Sequence, residues 1–380
     1  MKTGDPRTTR LRRLYVGVLV FGFLFFVLGT LANRRTWPYL AIGLIVIVLL
    51  PGLAFSIPRS RLLSWRVSPK LTVLILSVLI SGALCEIVLQ LFYSQNFPRI
   101  PSDLGYVYDS VLGWLPVPND RRTAGVGIPV RVMNNSLGLR GPEYPHTSKP
   151  GVLFVGDSFV WGLYVEVSDR FTERLQAKHP EWAIYNLGVT GYGTDQELLL
   201  LQRHFQLFKP RLVFLVFCVE NDHDDNSLPI RYGCFKPYYT TNASKLRLNG
   251  VPAPWSEDLF CATHRLCSHS YLFRAAVRAY KKLTIPQPVR HDDPTTAIVA
   301  EMQQYLKERE VPFIVGLTAP DPAFEQFLKN SQIAHLDLST SNRFSGDYHW
   351  SVAGHDFVSV KIEQFLLSEK YLSSIKPTIK

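Results

Sequence analysis

Two uncharged apolar runs open the chain, Leu14–Ala32 over 19 residues and Trp37–Ile57 over 21, and a third, Leu71–Tyr93 over 23, carries one charge, Glu86. About 20 apolar residues at 1.5 Å of helix rise cross the ~30 Å hydrocarbon core of a bilayer. Three spans are therefore expected, at about 14–32, 37–57 and 71–93, forming a membrane domain over residues 1–93. Pro51 is tolerable inside such a helix. Glu86 lies in the last third of its run, where it reaches headgroups or faces neighbouring helices. A cleaved signal peptide is the alternative for the first run, but such segments carry only about 7–15 apolar residues.

Lys plus Arg number 41 and Asp plus Glu 31, a net charge of +10. That excess invites a nucleic-acid partner, and its distribution argues against one. Residues 1–70 hold eleven basic residues and one acid, while residues 71–380 hold 30 of each sign. The N-terminal tail carries five basic residues, the first loop Arg34 and Arg35, and the second loop Arg59, Arg61, Arg66 and Lys70. Nine against two places the tail and second loop in the cytoplasm. Everything after Tyr93 is then extracytoplasmic, and the expected location is the inner (plasma) membrane, multi-pass, with the bilayer as partner and no nucleic acid.

Residues 94–150 are rich in Pro, Gly and Asn and read as an extended lead-in segment. From 151 to 370 the texture changes. Apolar runs at 151–155, 182–187, 211–218, 312–317 and 333–338 have the length and character of buried strands. Between them lie helical stretches at about 169–178, 194–208, 295–309 and 351–367, the second with Thr194 as N-cap and Glu197 at capping-box spacing. Strands alternating with helices predict an α/β fold, a parallel sheet covered on both faces. An insertion at about 223–292 interrupts the alternation, and its length marks it as functional or a cap.

In open α/β sheets, sites form at the carboxyl ends of the strands. Gly156-Asp157-Ser158-Phe159 follows the first strand, and Asn186 to Gly193 follows the second. Glu220-Asn221-Asp222 follows the third, and Gly346-Asp347-Tyr348-His349-Trp350 lies near the C-terminus. Each has an ordinary structural reading: a helix cap, a glycine turn, an Asx turn, a core histidine. Their joint occurrence in this order is what singles them out.

In that order the blocks resemble the SGNH (GDSL-like) hydrolase superfamily. Gly156-Asp157-Ser158 is similar to its nucleophile block, Asn186–Gly191 to its glycine block, Asn221-Asp222 to its asparagine block and Asp347–His349 to its last block. The resemblance covers about 151–367, and Gly113-Trp114 and residues 135–141 look like the lead-in of membrane-linked bacterial members. The common last block is Asp-x-x-His. Here the acid and base are two apart, an Asp-x-His-Trp form similar to that of polysaccharide O-acetyltransferases. The resemblance implies a flavodoxin-like three-layer α/β/α domain. It implies Ser158 as nucleophile, His349 as base, Asp347 as its orienter, and an oxyanion hole from Ser158, Gly191 and Asn221. It implies no metal and no cofactor.

The residue types suit acyl transfer. A serine hydroxyl is a weak nucleophile until a base takes its proton, and a carboxylate fixes the tautomer of that base. The expected function is a membrane-anchored serine esterase or O-acyltransferase acting on acyl esters of envelope or exported glycans. The alternatives are a lipid esterase at the membrane surface and a non-catalytic polysaccharide assembly or binding protein. His355 is a rival base, set inside the closing helix. Asn221–Asn226 fits no metal motif and reads as a polar loop at the pocket mouth. Arg140 reads as a salt-bridging residue, with an anion site as the alternative. Of Cys234, Cys261 and Cys267 one pair is expected to be bridged, Cys234–Cys261 or Cys261–Cys267.

Overall fold

The computed structural model describes residues 69–92 and 105–371, the latter with short breaks at 125–127, 145–146, 243–244, 257–258, 261–263, 265, 268–269, 286–287 and 370. The first two expected spans and Cys261 lie outside the described residues. The chain divides into two compact units, Met1–Ser94 and Gln95–Lys380.

In the first unit, α1 (Pro69–Phe92) is 24 residues long and covers the third apolar run. Its apolar residues sit on every side, with Ile75, Val78, Leu79, Leu84, Val88 and Leu91 all exposed. Glu86 accepts a hydrogen bond from Gln90 Nε2 at 2.7 Å. Side chains are described for residues 75–91 only, and within that stretch no helix is long and apolar enough to cross a membrane.

The second unit opens with two antiparallel hairpins: β1 (Tyr106–Asp109) with β2 (Gly113–Pro116), and β3 (Arg121–Ala124) with β4 (Val130–Met133). Residues 105–144 are therefore not an extended arm. Leu112, Trp114 and Leu139 are buried in the main core, and the Tyr192 hydroxyl donates to Trp114 O at 2.5 Å. Four-residue strands with one or two inward side chains each leave too little periodicity to register in sequence.

The sheet follows the apolar runs: β5 (Gly151–Gly156), β6 (Ala183–Gly188), β7 (Leu212–Phe217) and, after the insertion, β12 (Phe313–Leu317) and β13 (Ala334–Asp337). All five are parallel, in the order β13-β12-β7-β5-β6. In order of appearance this is 2-1-3-4-5 read from the β6 edge, the doubly wound arrangement whose direction reverses between β5 and β7. The helices are α2 (Ser158–Trp161), α3 (Phe171–Lys178), α4 (Thr194–Phe208), α5 (Asp222–Asn226), α6 (Tyr271–Thr284), α7 (Thr295–Lys307), α8 (Pro322–Asn330) and α9 (Val352–Ser368). Leu153, Val155, Val213, Leu215 and Val315 point to one face and meet α4, α7 and α8. Val152, Phe154, Phe214, Val216 and Ile314 point to the other and meet α2, α3 and α9. Strands buried on both faces explain the unbroken apolar runs.

The N-cap of α4 is Gly193, not Thr194, and its N–H bonds Gln196 rather than Glu197. A Cβ at 193 would lie 2.8 Å from Asn226 Oδ1, so a side-chain cap does not fit there. The insertion forms β8 (Ile230–Arg231) with β9 (Cys234–Phe235), β10 (Tyr238–Asn242) with β11 (Lys245–Asn249), and α6. Cys267 is disulfide-bonded and Cys234 is not, so of the two expected pairings the one through Cys234 is not formed.

Gly188 marks the tightest approach between the sheet and α2. A Cβ there would meet Trp161 N at 2.2 Å and Val160 C at 2.5 Å, both backbone. Gly188→Ala is expected to cost about 3 kcal/mol, the upper end for overpacking, because neither atom can turn aside. A urea midpoint equal to wild type would show that α2 withdraws freely.

Candidate active site

The carboxyl ends of β5 and β7 flank the reversal point, and each delivers a polar segment there. Gly156 ends β5 and Ser158 opens α2, so strand becomes helix within one residue. Asp157, wholly buried, caps the turn: its Oδ1 accepts from Phe159 N–H at 2.9 Å. Gly162, left-handed at φ 78°, closes the far end and donates to Ser158 O at 3.0 Å. A single capped turn thus fixes the Ser158 backbone, and the residue is 6% exposed.

The opposing group comes from the loop before α9. Gly346 turns the chain at φ 77°, and Asp347 Oδ1 then accepts twice from His349, from its backbone N–H at 2.9 Å and from ring Nδ1 at 2.5 Å. With Nδ1 donating, Nε2 is left to accept, and it lies 2.7 Å from Ser158 Oγ. The two-residue spacing therefore serves as well as a longer one, because the backbone N–H supplies the second anchor. Burial pushes the Asp347 carboxyl up. The hydrogen bonds from His349, main chain first, and from the Tyr164 hydroxyl outweigh it, and the group ends below its ordinary value. An acid held as carboxylate is what an orienting partner requires.

Asn221 follows β7 and caps α5. Its Nδ2 donates to Asp157 Oδ2 at 3.2 Å, the same oxygen that lies 3.1 Å from Ser158 Oγ. Gly191 sits on the turn after β6, the strand paired with β5 up to Gly188 and Gly156. Its φ is +78°, and a Cβ there would lie 2.5 Å from Tyr232 Cε2. A left-handed φ and the Tyr232 ring against it leave room there only for glycine. The structure joins Ser158, His349 and Asp347 in one hydrogen-bonded chain and links Asn221 to it through Asp157, while Gly191 packs against Tyr232.

Several neighbours escape a linear reading. Asp157 couples the Ser158 hydroxyl to the Asn221 amide, a link visible only once β5 and β7 are adjacent. Asn186 ties β6 to the nucleophile turn, its Nδ2 donating to Val160 O at 2.7 Å and Thr172 Oγ1 at 2.9 Å. Arg343 pins the histidine loop, Nη1 donating to Tyr348 O and Nη2 to Thr318 O, each at 2.7 Å. Trp350, wholly buried, packs edge-on against Phe159 at 4.6 Å. Near His349 stand Tyr348, stacked on it at 4.5 Å, Tyr164, edge-on to it at 5.8 Å, and, against Gly191, Tyr232, 72% exposed. Tyr164 and Tyr232 hold φ of 67° and 50°, a conformation that costs a non-glycine residue about 1–3 kcal/mol and concentrates at functional sites.

Two expectations are corrected. Arg140 pairs with no acid among the described residues. Buried to 1% exposure, it donates to the carbonyls of Arg131, Trp161, Gly162 and Val165, and burial with Arg170 nearby lowers it to about 9. Residues 222–226 are not a loop at a pocket mouth but the helix α5, with Asp222, Asp225 and Asn226 buried. Among the described residues no group of His, Cys, Asp and Glu is placed to hold a metal. His355 is inside α9, where its Nδ1 accepts from Phe171 N–H at 3.3 Å. Burial and the nearby arginines lower it to about 3, so it stays neutral and structural.

His223 of α5 bridges Asp293 at 2.6 Å and Asp321 at 2.9 Å. The bond to Asp293 raises its pKa against burial. A raised folded pKa means the stabilisation is full below the ordinary histidine value and disappears as pH rises through the folded one. The difference in melting temperature between wild type and His223→Gln is therefore expected to be largest near pH 5 and to shrink on raising the pH. A gap that widens with pH would contradict the ion pair.

No family model matches the chain, and no curated protein matches it. Solved structures that overlap it include TesA, at 12% identity and TM-score 0.35 over 57% of this chain and 98% of that one. A GDSL-like lipase from Bacteroides thetaiotaomicron overlaps at 14% identity and TM-score 0.32, over 60% and 93%. An acetyl xylan esterase overlaps at 11% identity and TM-score 0.34, over 57% and 99%. Overlaps at that level carry no argument for activity, so the chemistry is argued from the site.

Proposed function

We propose that the chain is a membrane-anchored serine esterase or O-acyltransferase acting on acyl esters of envelope or exported glycans. The observation that carries it is the Asp347–His349–Ser158 hydrogen-bonded chain at the reversal point of the sheet. His349 Nε2 takes the Ser158 proton as Oγ attacks the ester carbonyl. Asp347 steadies the imidazolium, and the tetrahedral oxyanion meets the N–H groups of Ser158 and Gly191 and the second N–H of Asn221 Nδ2. Each donor is worth about 3 kcal/mol of barrier. His349 then hands the proton to the departing alkoxide, leaving an acyl-Ser158 ester. Water or a second hydroxyl, deprotonated by His349, releases the acyl group and regenerates the serine. All of this uses side chains and backbone of the chain alone.

The tyrosines at the mouth favour a glycan, offering broad faces with a polar tip to a substrate that is itself part apolar and part hydroxylated. The membrane anchor rests on the nine-to-two charge asymmetry and on α1, apolar around its whole circumference, as a lipid-facing helix is. A reporter fused after Lys380 is expected to be active only if it works outside the cytoplasm; cytoplasmic activity would overturn the topology.

A fluorophosphonate applied to the full chain tests the chemistry. The adduct is expected on Ser158 and absent from Ser158→Ala. Turnover of a chromogenic acetyl ester that rises on adding a sugar, with acyl-sugar formed, marks a transferase; turnover indifferent to sugar marks a hydrolase. No adduct and no turnover with any ester would leave a glycan-binding protein.

A further inference from the structure

Tyr232 opens the two-residue turn between β8 and β9, a place where asparagine, aspartate or glycine would sit without strain. Arg231 faces Cys234 across the hairpin, and Tyr232 and Gly233 between them have φ of 50° and 76°. Positive φ at both residues is the mark of a type I′ turn. Inward packing does not offset the strain, since Tyr232 is 72% exposed. A Cβ on Gly233 would meet nothing within 4 Å, so the tip of the hairpin is open. The tyrosine ring is nevertheless held in place. The Arg231 guanidinium lies 4.5 Å from its centroid, and Nη2 donates to the hydroxyl at 3.3 Å. Two buried acids clamp the hairpin: Arg231 Nη1 lies 2.8 Å from Asp225 Oδ1 of α5, and Lys236 pairs with Asp195 of α4. The ring lies against Gly191. Tyr348 and Tyr164, both packed on His349, stand near it: burial raises their hydroxyls, and the Tyr232 phenol raises both further.

We propose that Tyr232 is a platform for a sugar ring on the alcohol side of the ester, and so sets the preference among acetylated substrates. A pyranose presents a face of C–H bonds ringed by hydroxyls, and a phenol offers a matching apolar face with a polar tip. Arg231 and the two ion pairs of the hairpin hold the ring before substrate arrives, so stacking on it loses little side-chain freedom. The place fits as well: Tyr232 adjoins Gly191, an oxyanion donor in the reading above, and the tyrosines on His349. Strain at a solvent-exposed residue is retained where a ligand, rather than the fold, uses the side chain. The inference rests on the esterase reading proposed above, and not on the membrane anchor.

The test measures kcat and KM of the full chain on peracetylated cellobiose, which presents pyranose rings, and on ethyl acetate, which presents none. Tyr232→Asn suits a type I′ turn, so its urea midpoint is expected at or above that of wild type. Its preference for the cellobiose ester, as the ratio of kcat/KM values, is expected to fall about tenfold, mostly through KM, as loss of one stacking contact predicts. Tyr232→Phe keeps the aromatic face and is expected to retain most of that preference. An unchanged ratio would overturn the platform, and if both esters fall together in kcat, Tyr232 props the Gly191 turn instead. A urea midpoint below wild type would show that the tyrosine serves the fold, and would overturn it too. Wild-type turnover of ethyl acetate with none of peracetylated cellobiose would overturn the platform and leave the esterase reading standing. A wild type with no turnover of either ester and no fluorophosphonate adduct would overturn both.

Discussion

Alanine at Ser158 or at His349 is expected to lower ester turnover by roughly 10⁴- to 10⁶-fold, and alanine at both to lower it little further. The reason is in the 2.7 Å bond between Oγ and Nε2. Without the imidazole the hydroxyl keeps its proton, and without the hydroxyl the imidazole has no nucleophile to activate, so each loss removes the same pathway. What remains is the contribution of the oxyanion donors and of binding. The measurement is kcat on a chromogenic acetyl ester for both single variants and the double, with circular dichroism to show that the sheet is intact. Losses that add on a logarithmic scale would mean the two residues act separately, and a Ser158→Ala protein with most of its turnover would end the serine mechanism.

Asp347→Asn is expected to cost roughly 10⁴-fold, although it is nearly isosteric. The introduced amide retains an oxygen for the His349 backbone N–H but can turn its NH₂ toward Nδ1. The ring then carries its proton on Nε2 and cannot accept from Ser158. Asn221→Ala provides the contrast: the nucleophile stays intact and one oxyanion donor is lost, for a fall of roughly 100- to 1000-fold. A mild Asp347→Asn would mean that another acid orients the ring. Comparing the two variants separates loss of the proton path from loss of charge stabilisation.

The sheet was legible because a strand covered on both faces must be apolar at nearly every position, and residues 212–217, LVFLVF, admit little else. Helix α8 was not legible, since the Asp-Pro pair at 321–322 reads as a breaker. In the structure Asp321 is the N-cap and accepts from Phe324 N–H at 3.0 Å, with Pro322 opening the helix, where its missing N–H costs nothing. The residues of the site were legible as separate blocks, and their geometry was not. That Asp157 Oδ2 serves both Ser158 and Asn221 depends on β7 lying beside β5, and strand order is written nowhere in the local sequence. Arg140 misled for a related reason. A buried arginine usually seeks an acid, and this one donates to carbonyls at the end of α2 and in the following turn.

His349 and Asp347 share one short loop, residues 343–350, held to the body by Arg343 and by Trp350 beneath it. No strand of the sheet carries either group. Warming that frees this loop would disconnect Nε2 from Oγ while both apolar layers stay packed. Ester turnover should then fade at a temperature below the cooperative melt, and return on cooling. Heat inactivation and denaturation become two events, and the interval between them reports how firmly a single arginine clasps the catalytic loop.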